Sequence, residues 1–381
     1  MENAISQLQI NQMVRDHIRD TGILAKREIE RGTFSGRVGQ VHKFVPDQTG
    51  LLMKLVVFVR AKISATGANA QTLQERGLAN FFSEIRFRDY SGNVRIETSG
   101  MHLHALSSAH RGRPFGAAYE SDTQQGIGSN ADIMRAPTVI NSAASDYNVH
   151  AVFEIPIARS RGDWRGAIYS NVTSQQAELA LRVNDELFVD NTATDTSKAM
   201  YKSANGDLGT LEEYEITVVQ HGWEQFGKHN SLPMLPPLDT KAMYELRNTN
   251  KTDFSAGSDY QIPYSNNRLF YSTLLEYNNG GALNFGTDID NFRLQVANSY
   301  KMLDIDPRHQ YMEQRERFNG DLGGGLYFFD HSDRPIRTLE FGNISLIVRA
   351  KEKATNGEYN LFYEAIGDLE RAGSATAIGA A

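Results

Sequence analysis

Cysteine is absent from the 381 residues. That excludes a disulfide framework, a thiolate-held zinc and a cysteine nucleophile. Long apolar runs are absent too. The longest candidate, Leu51 to Val59, already carries Lys54 and falls well short of the roughly 20 residues of a membrane-spanning helix. The opening stretch MENAISQLQINQMVRDHIRD has no apolar centre followed by a small-residue cleavage site, so no secretory signal is expected and folding in cytoplasm is. A basic excess is also missing. The net charge is −7 and the pI about 5.8, which argues against a protein that coats nucleic acid.

What is present points to strands. Hydrophobic residues at 40% and charged residues at 22% describe a globular chain rather than a disordered one. Plentiful Tyr and Phe together with 32 Gly suit strands joined by tight turns. In MKLVVFVRAKI the odd positions Met53, Leu55, Val57, Val59, Ala61 and Ile63 are apolar, and the even ones include Lys54, Arg60 and Lys62. Phe81, Ile85 and Phe87 alternate in the same way. So do Val149 to Ile157, Leu179 to Val183, and Tyr214 to Val218. A period of two is the mark of half-buried antiparallel strands. Pro233, Pro236 and Pro237 interrupt it, after which Leu269 to Tyr277, Ile344 to Ala350 and Tyr359 to Tyr363 resume it.

Other stretches read as helix. Ile10, Met13, Val14 and Ile18 form one stripe in a helix over residues 1 to about 31. Thr98 or Ser99 can cap a short helix ending near His110 and Arg111, closed by Gly112 and Pro114. Asp239 can cap one carrying Met243 and Leu246. Phe292, Val296, Tyr300 and Leu303 follow helical spacing, and Asp306-Pro307 opens a further helix through Tyr311 to Phe318. The expected organisation is all-β: an N-terminal amphipathic arm over 1–34, a sandwich over 35–235, a second over 236–370 that starts with a linker helix, and a tail over 371–381. Jelly rolls of about eight strands each are one such pair of sandwiches.

The motif that most resembles chemistry is His102-x-His104. On a strand both imidazoles would face one metal ion, as in metal-binding single jelly rolls of the cupin type. Those carry a Glu a few residues later, where this chain has Ala105 to Ser108. On the capped helix read above, the two histidines stand about 200° apart and cannot share an ion. GIGSNA at 126–131 follows the polar YESDTQQ rather than a buried strand, so it is a loop and not a dinucleotide fingerprint. The close carboxylates of TDIDN and LDIDP lack the other positions of a calcium loop. No catalytic residue, metal ligand or cofactor site is therefore expected. A lectin-like double sandwich presenting exposed aromatics remains the other alternative to the cupin-like enzyme.

Four strings occur in order: ETSGMHLH, LPPLDTKAMYELRN, NNGGALNFGTDIDNF and DRPIRTLEFGNISLIV. Together, from Glu97 to Val348, they resemble the major capsid protein of tectiviruses, the icosahedral bacteriophages with an internal membrane. Met101 stands where a tryptophan is expected, and the N-terminal arm has no clear match. The resemblance implies two tandem jelly rolls in one chain, homotrimers with a near-hexagonal outline, and a shell assembled in the host cytoplasm. Its partners would be further copies, penton and minor capsid proteins, and the internal membrane beneath the arm, with no direct contact to DNA. On that reading Ile10, Met13, Val14 and Ile18 are the arm's docking stripe. His102, Leu106, Phe292, Val296, Tyr300 and Tyr311 are candidates for trimer contacts.

Overall fold

The computed structural model describes residues 7–367 apart from 66, 75–76, 112–133, 143–145, 161, 170–175, 191–197, 205, 225–227, 230–231, 234–242, 249–251, 279–287, 297–299, 319–324, 339–342 and 352–356. Helix α1 (Gln7–Thr21) leads into eight strands: β1 (Ile23–Ser35), β2 (Val41–Phe44), β3 (Leu51–Ala65), β4 (Phe82–Arg88), β5 (Val94–Thr98), β6 (Tyr147–Pro156), β7 (Glu178–Val183) and β8 (Gly209–Glu224). Helix α2 (Gly100–Arg111) follows β5. Two sheets result, ordered β1-β8-β3-β6 and β2-β7-β4-β5.

Eight further strands repeat this plan: β9 (Met243–Asn248), β10 (Asp259–Pro263), β11 (Leu269–Asn278), β12 (Ile289–Val296), β13 (Tyr300–Ile305), β14 (Leu326–Asp330), β15 (Ile344–Ala350) and β16 (Gly357–Gly367). Their sheets are ordered β9-β16-β11-β14 and β10-β15-β12-β13, the same order shifted by eight. Helix α3 (Pro307–Phe318) follows β13 as α2 follows β5. Each set is a jelly roll, so the chain is a double jelly roll. Shorter strands add a small sheet of 188–190, 201–203, 71–73 and 139–140 to the first roll.

Alternation builds each core. In β3, Val57 pairs with Val218 of β8 and Phe153 of β6, and all three side chains are buried. Phe58, one residue on, points outward and is 43% exposed. Burying each such aliphatic side chain contributes roughly 1.5–3 kcal/mol. The second core gathers Phe270, Phe292, Leu294, Tyr327, Leu346 and Leu361.

The two rolls share one sheet. β5 pairs in parallel with β9, with Ile96 opposite Leu246 and Glu97 opposite Arg247. Glu97 also receives Arg86 at 3.1 Å and Arg247 at 3.5 Å, so charges bridge the join. β16 is buried on both faces. Tyr359, Leu361, Tyr363 and Ala365 enter the second core, whereas Phe362 and Ile366 join the first. The first core thus runs on into the second roll.

Three helical expectations are corrected. The N-terminal helix ends at Thr21, not near 31, so the stretch expected to be arm over 1–34 contains a strand: β1 pairs with β8 from Ile23 to Ser35. The stretch carrying Met243 and Leu246 is β9, not a linker helix. Phe292, Val296 and Tyr300 lie on strands β12 and β13, not on a helix. Pairing along β15 and between β12 and β13 satisfies backbone groups that a lone helix would have to satisfy internally. The helices over 100–111 and 307–318 stand where the caps place them. The tail over 371–381, the 126–131 loop, Pro236, Pro237, Asp239, Gly112 and Pro114 lie outside the described residues.

Candidate functional site

The polar centre of the molecule is the seam between the rolls. α2 begins at Gly100, where a Cβ would come within 2.5 Å of the Ala79 carbonyl oxygen and 2.8 Å of the Phe153 ring. Ser99 caps it, its hydroxyl accepting from the His102 N–H at 3.2 Å. The helix then lays Met101, Leu103, Ala105, Leu106 and Ala109 into the first core. His102 is 2% exposed, hydrogen-bonded to Thr98 at 2.5 Å and packed on the Phe362 ring of β16 at 4.6 Å. Burial pushes its imidazole down to about 3, so it is neutral in the folded protein. His104 is 8% exposed. Among the described residues no three His, Asp or Glu side chains gather as a metal site.

At the far end of α2, His110 Nε2 lies 3.4 Å from Glu364 of β16, which is fully buried. Tyr244 of β9 donates to the same carboxylate at 3.1 Å, Ser272 of β11 donates at 2.9 Å, and Arg159 of the first roll approaches to 3.7 Å. Burial raises the carboxyl's pKa, but His110, Arg159 and Ser272 outweigh it and hold the group below its ordinary value. Arg159 also stacks on the Tyr271 ring at 3.8 Å, and it reaches Asp163 at 3.3 Å. Asp163 is bound by Arg165 as well. Gly166 closes this loop at φ +90°, where a Cβ would meet that of Tyr244 at 2.3 Å. Hydropathy reading missed this network, because an isolated Glu, His or Arg carries no periodic signal.

The arm's stripe divides. Ile18 is buried against Leu51, Met53, Trp164 and Trp223, with Val14 packed beside it and Arg19 above the Trp164 ring at 5.5 Å. Met13 is 61% exposed, and the Ile10 side chain is outside the described residues. The candidates for trimer contact are corrected in part. His102, Phe292 and Val296 are 2%, 0% and 8% exposed, so they face the chain's own cores, whereas Leu106, 3% exposed, also lines the bottom of a cleft beside α2. Tyr311 is half-buried on α3, and the Tyr300 side chain is outside the described residues.

α3 is held differently from α2. Asp306 accepts from the Arg308 N–H at 2.7 Å ahead of Pro307. Its carboxyl is pulled down to about 2 by the Arg308 side chain and backbone. Gln310 and Gln314 are buried amides. Gln310 donates to the Phe328 carbonyl at 2.6 Å, while Gln314 donates to the Leu326 carbonyl and accepts from the Phe328 N–H, both at 3.0 Å. The opposite face of α3 carries His309, Met312, Glu313 and Glu316, all exposed. No helix among the described residues is long and apolar enough to cross a membrane.

A repeated eight-strand roll with no metal cluster among its described residues directs attention to sequence relatives. The family model for the N-terminal part of the P3 major capsid protein matches residues 4–224. That for its C-terminal part matches residues 241–376. The chain belongs to the P3 major capsid protein family. The major capsid protein P3 of Enterobacteria phage PRD1 is 28% identical over 340 residues, covering 89% of this chain and 86% of that one. The fold is shared with a solved capsid structure of Sulfolobus turreted icosahedral virus, at a TM-score of 0.65 and 13% identity, over 94% of this chain and 96% of that one. A quasi-atomic structure of the PBCV-1 capsid gives 0.52 and 10%, over 91% and 95%. This capsid protein is thus a component of a virion shell, and neither the metalloenzyme nor the lectin reading gains support from its relatives.

Proposed function

We propose that this capsid protein works by assembly alone, with no reaction and no cofactor. Homotrimers, each contributing six jelly rolls, form near-hexagonal tiles that meet penton and minor capsid proteins in an icosahedral shell. The shell encloses an internal membrane, with α1 on its inner side, and the protein makes no direct contact with nucleic acid. One observation carries this reading: two rolls of identical strand order are fused side by side through β5 and β9. Three copies of a two-lobed block present six similar lobes around one axis. Native mass measurement with negative-stain microscopy tests it. The expected result is a particle of three times 42.6 kDa with a hexagonal outline. A compact monomer contradicts it.

A further inference from the structure

A cleft of about 380 Å³ in the first roll opens beside the seam. Leu24, Met53, Leu103, Leu106 and Trp223 give it an apolar floor, with Lys26, Lys54 and His221 at the rim. Its one lining carboxylate, Glu154, is tied to Lys54 at 3.3 Å. The exposed Lys26 carries positive charge into the opening. Burial, with help from Lys54 and Lys26, pushes the His221 imidazole down to about 4. The cleft therefore suits an apolar anchor flanked by acids.

The second roll carries such an anchor. Met312 on α3 is 58% exposed, and the other strongly exposed large apolar side chains among the described residues all lie between Met13 and Leu208. Among the described residues Met312 is thus the second roll's one strongly exposed large apolar side chain. Around the helix Glu316 stands about 40° and Glu313 about 100° from it on one side, with Arg308 and Arg315 about 40° and 60° away on the other. We propose that the cleft of one copy receives this face of α3 from the next copy, Met312 entering the floor and Glu313 and Glu316 meeting Lys26 and Lys54. The contact joins unlike surfaces, first roll to second, and so closes a ring when the rotation is threefold. It rests on the trimeric reading above. It also sits directly on the seam, because His110 and Arg159 line the cleft and face Glu364 behind it.

Charge reversal tests this in the full chain. Lys26→Glu and Glu313→Lys, both at exposed positions, should each raise the concentration at which trimers dissociate about tenfold, with unchanged thermal unfolding of the monomer. The double variant should recover trimer stability. Because the chain has no cysteine, Leu24→Cys with Met312→Cys should add an intermolecular disulfide that neither single variant forms. Trimers that are unaffected by either reversal, or that yield no disulfide, overturn the contact and leave the trimer standing. A monomer at every concentration overturns both.

Discussion

The two rolls have one strand order and two ways of holding the helix that follows their fifth strand. α2 is an apolar wedge. It lies where two rolls meet, so its leucines, alanines and methionine find cover on several sides. α3 lies on the second roll with its outer face in solvent, and its buried residues are only Pro307, Gln310, Gln314 and Phe318. Its anchors are two amides clasping the backbone of β14 and one aromatic, Phe318, packed on Phe328 at 5.3 Å. Topology places a helix at both sites, and the neighbourhood decides the chemistry that fixes it. Where a second surface is available the helix is held by area. Where it is not, a few buried hydrogen bonds replace area.

Truncation of each anchor should separate the two modes. Leu103→Ala in α2 should cost roughly 2–5 kcal/mol, since it removes a fully enclosed aliphatic side chain. Gln314→Ala in α3 should cost about 1–3 kcal/mol, because it leaves the Phe328 N–H and the Leu326 carbonyl unpaired. Equilibrium urea unfolding checks both, and equal losses would erase the distinction. A further effect is pH-dependent and acts in both rolls. Burial pushes His102 down to about 3 and His331, in the turn after β14, down to about 4. Each is neutral when folded and takes up a proton when unfolded below about 6.5. Their stabilisation is thus whole above that pH and falls as pH drops toward 4, by about 1.4 kcal/mol per pH unit for each group. His102→Gln and His331→Gln should each flatten that slope in unfolding curves measured between pH 7 and 4.

Most strands were legible because each has one wet face. β6, β7 and the part of β3 from Val57 on alternate cleanly, since water meets every second side chain there. The misread stretches lack that asymmetry or imitate another period. β1 has no fully buried residue, and its pattern alternates only over its last five residues. β9 buries Tyr244, Glu245 and Leu246 in succession because the seam covers both of its faces. Phe292 and Val296 are four apart, a spacing that lies on one face of a helix and equally on one face of a strand. Leu294 between them, flanked by Arg293 and Gln295, is the sign that separated the two. The capped helices were legible from Ser99 and from Asp306-Pro307, whose side chains act locally. The seam was not, because Glu364, His110, Arg159 and Tyr244 are brought together only by the pairing of β5 with β9.

Fusion of the rolls into one block is the claim on which the rest stands. Scanning calorimetry of the full chain at neutral pH tests it most directly. The continuous core, the shared sheet and the buried Glu364 network predict a single cooperative transition in which both rolls unfold together. Two separate transitions, one for each roll, would contradict it.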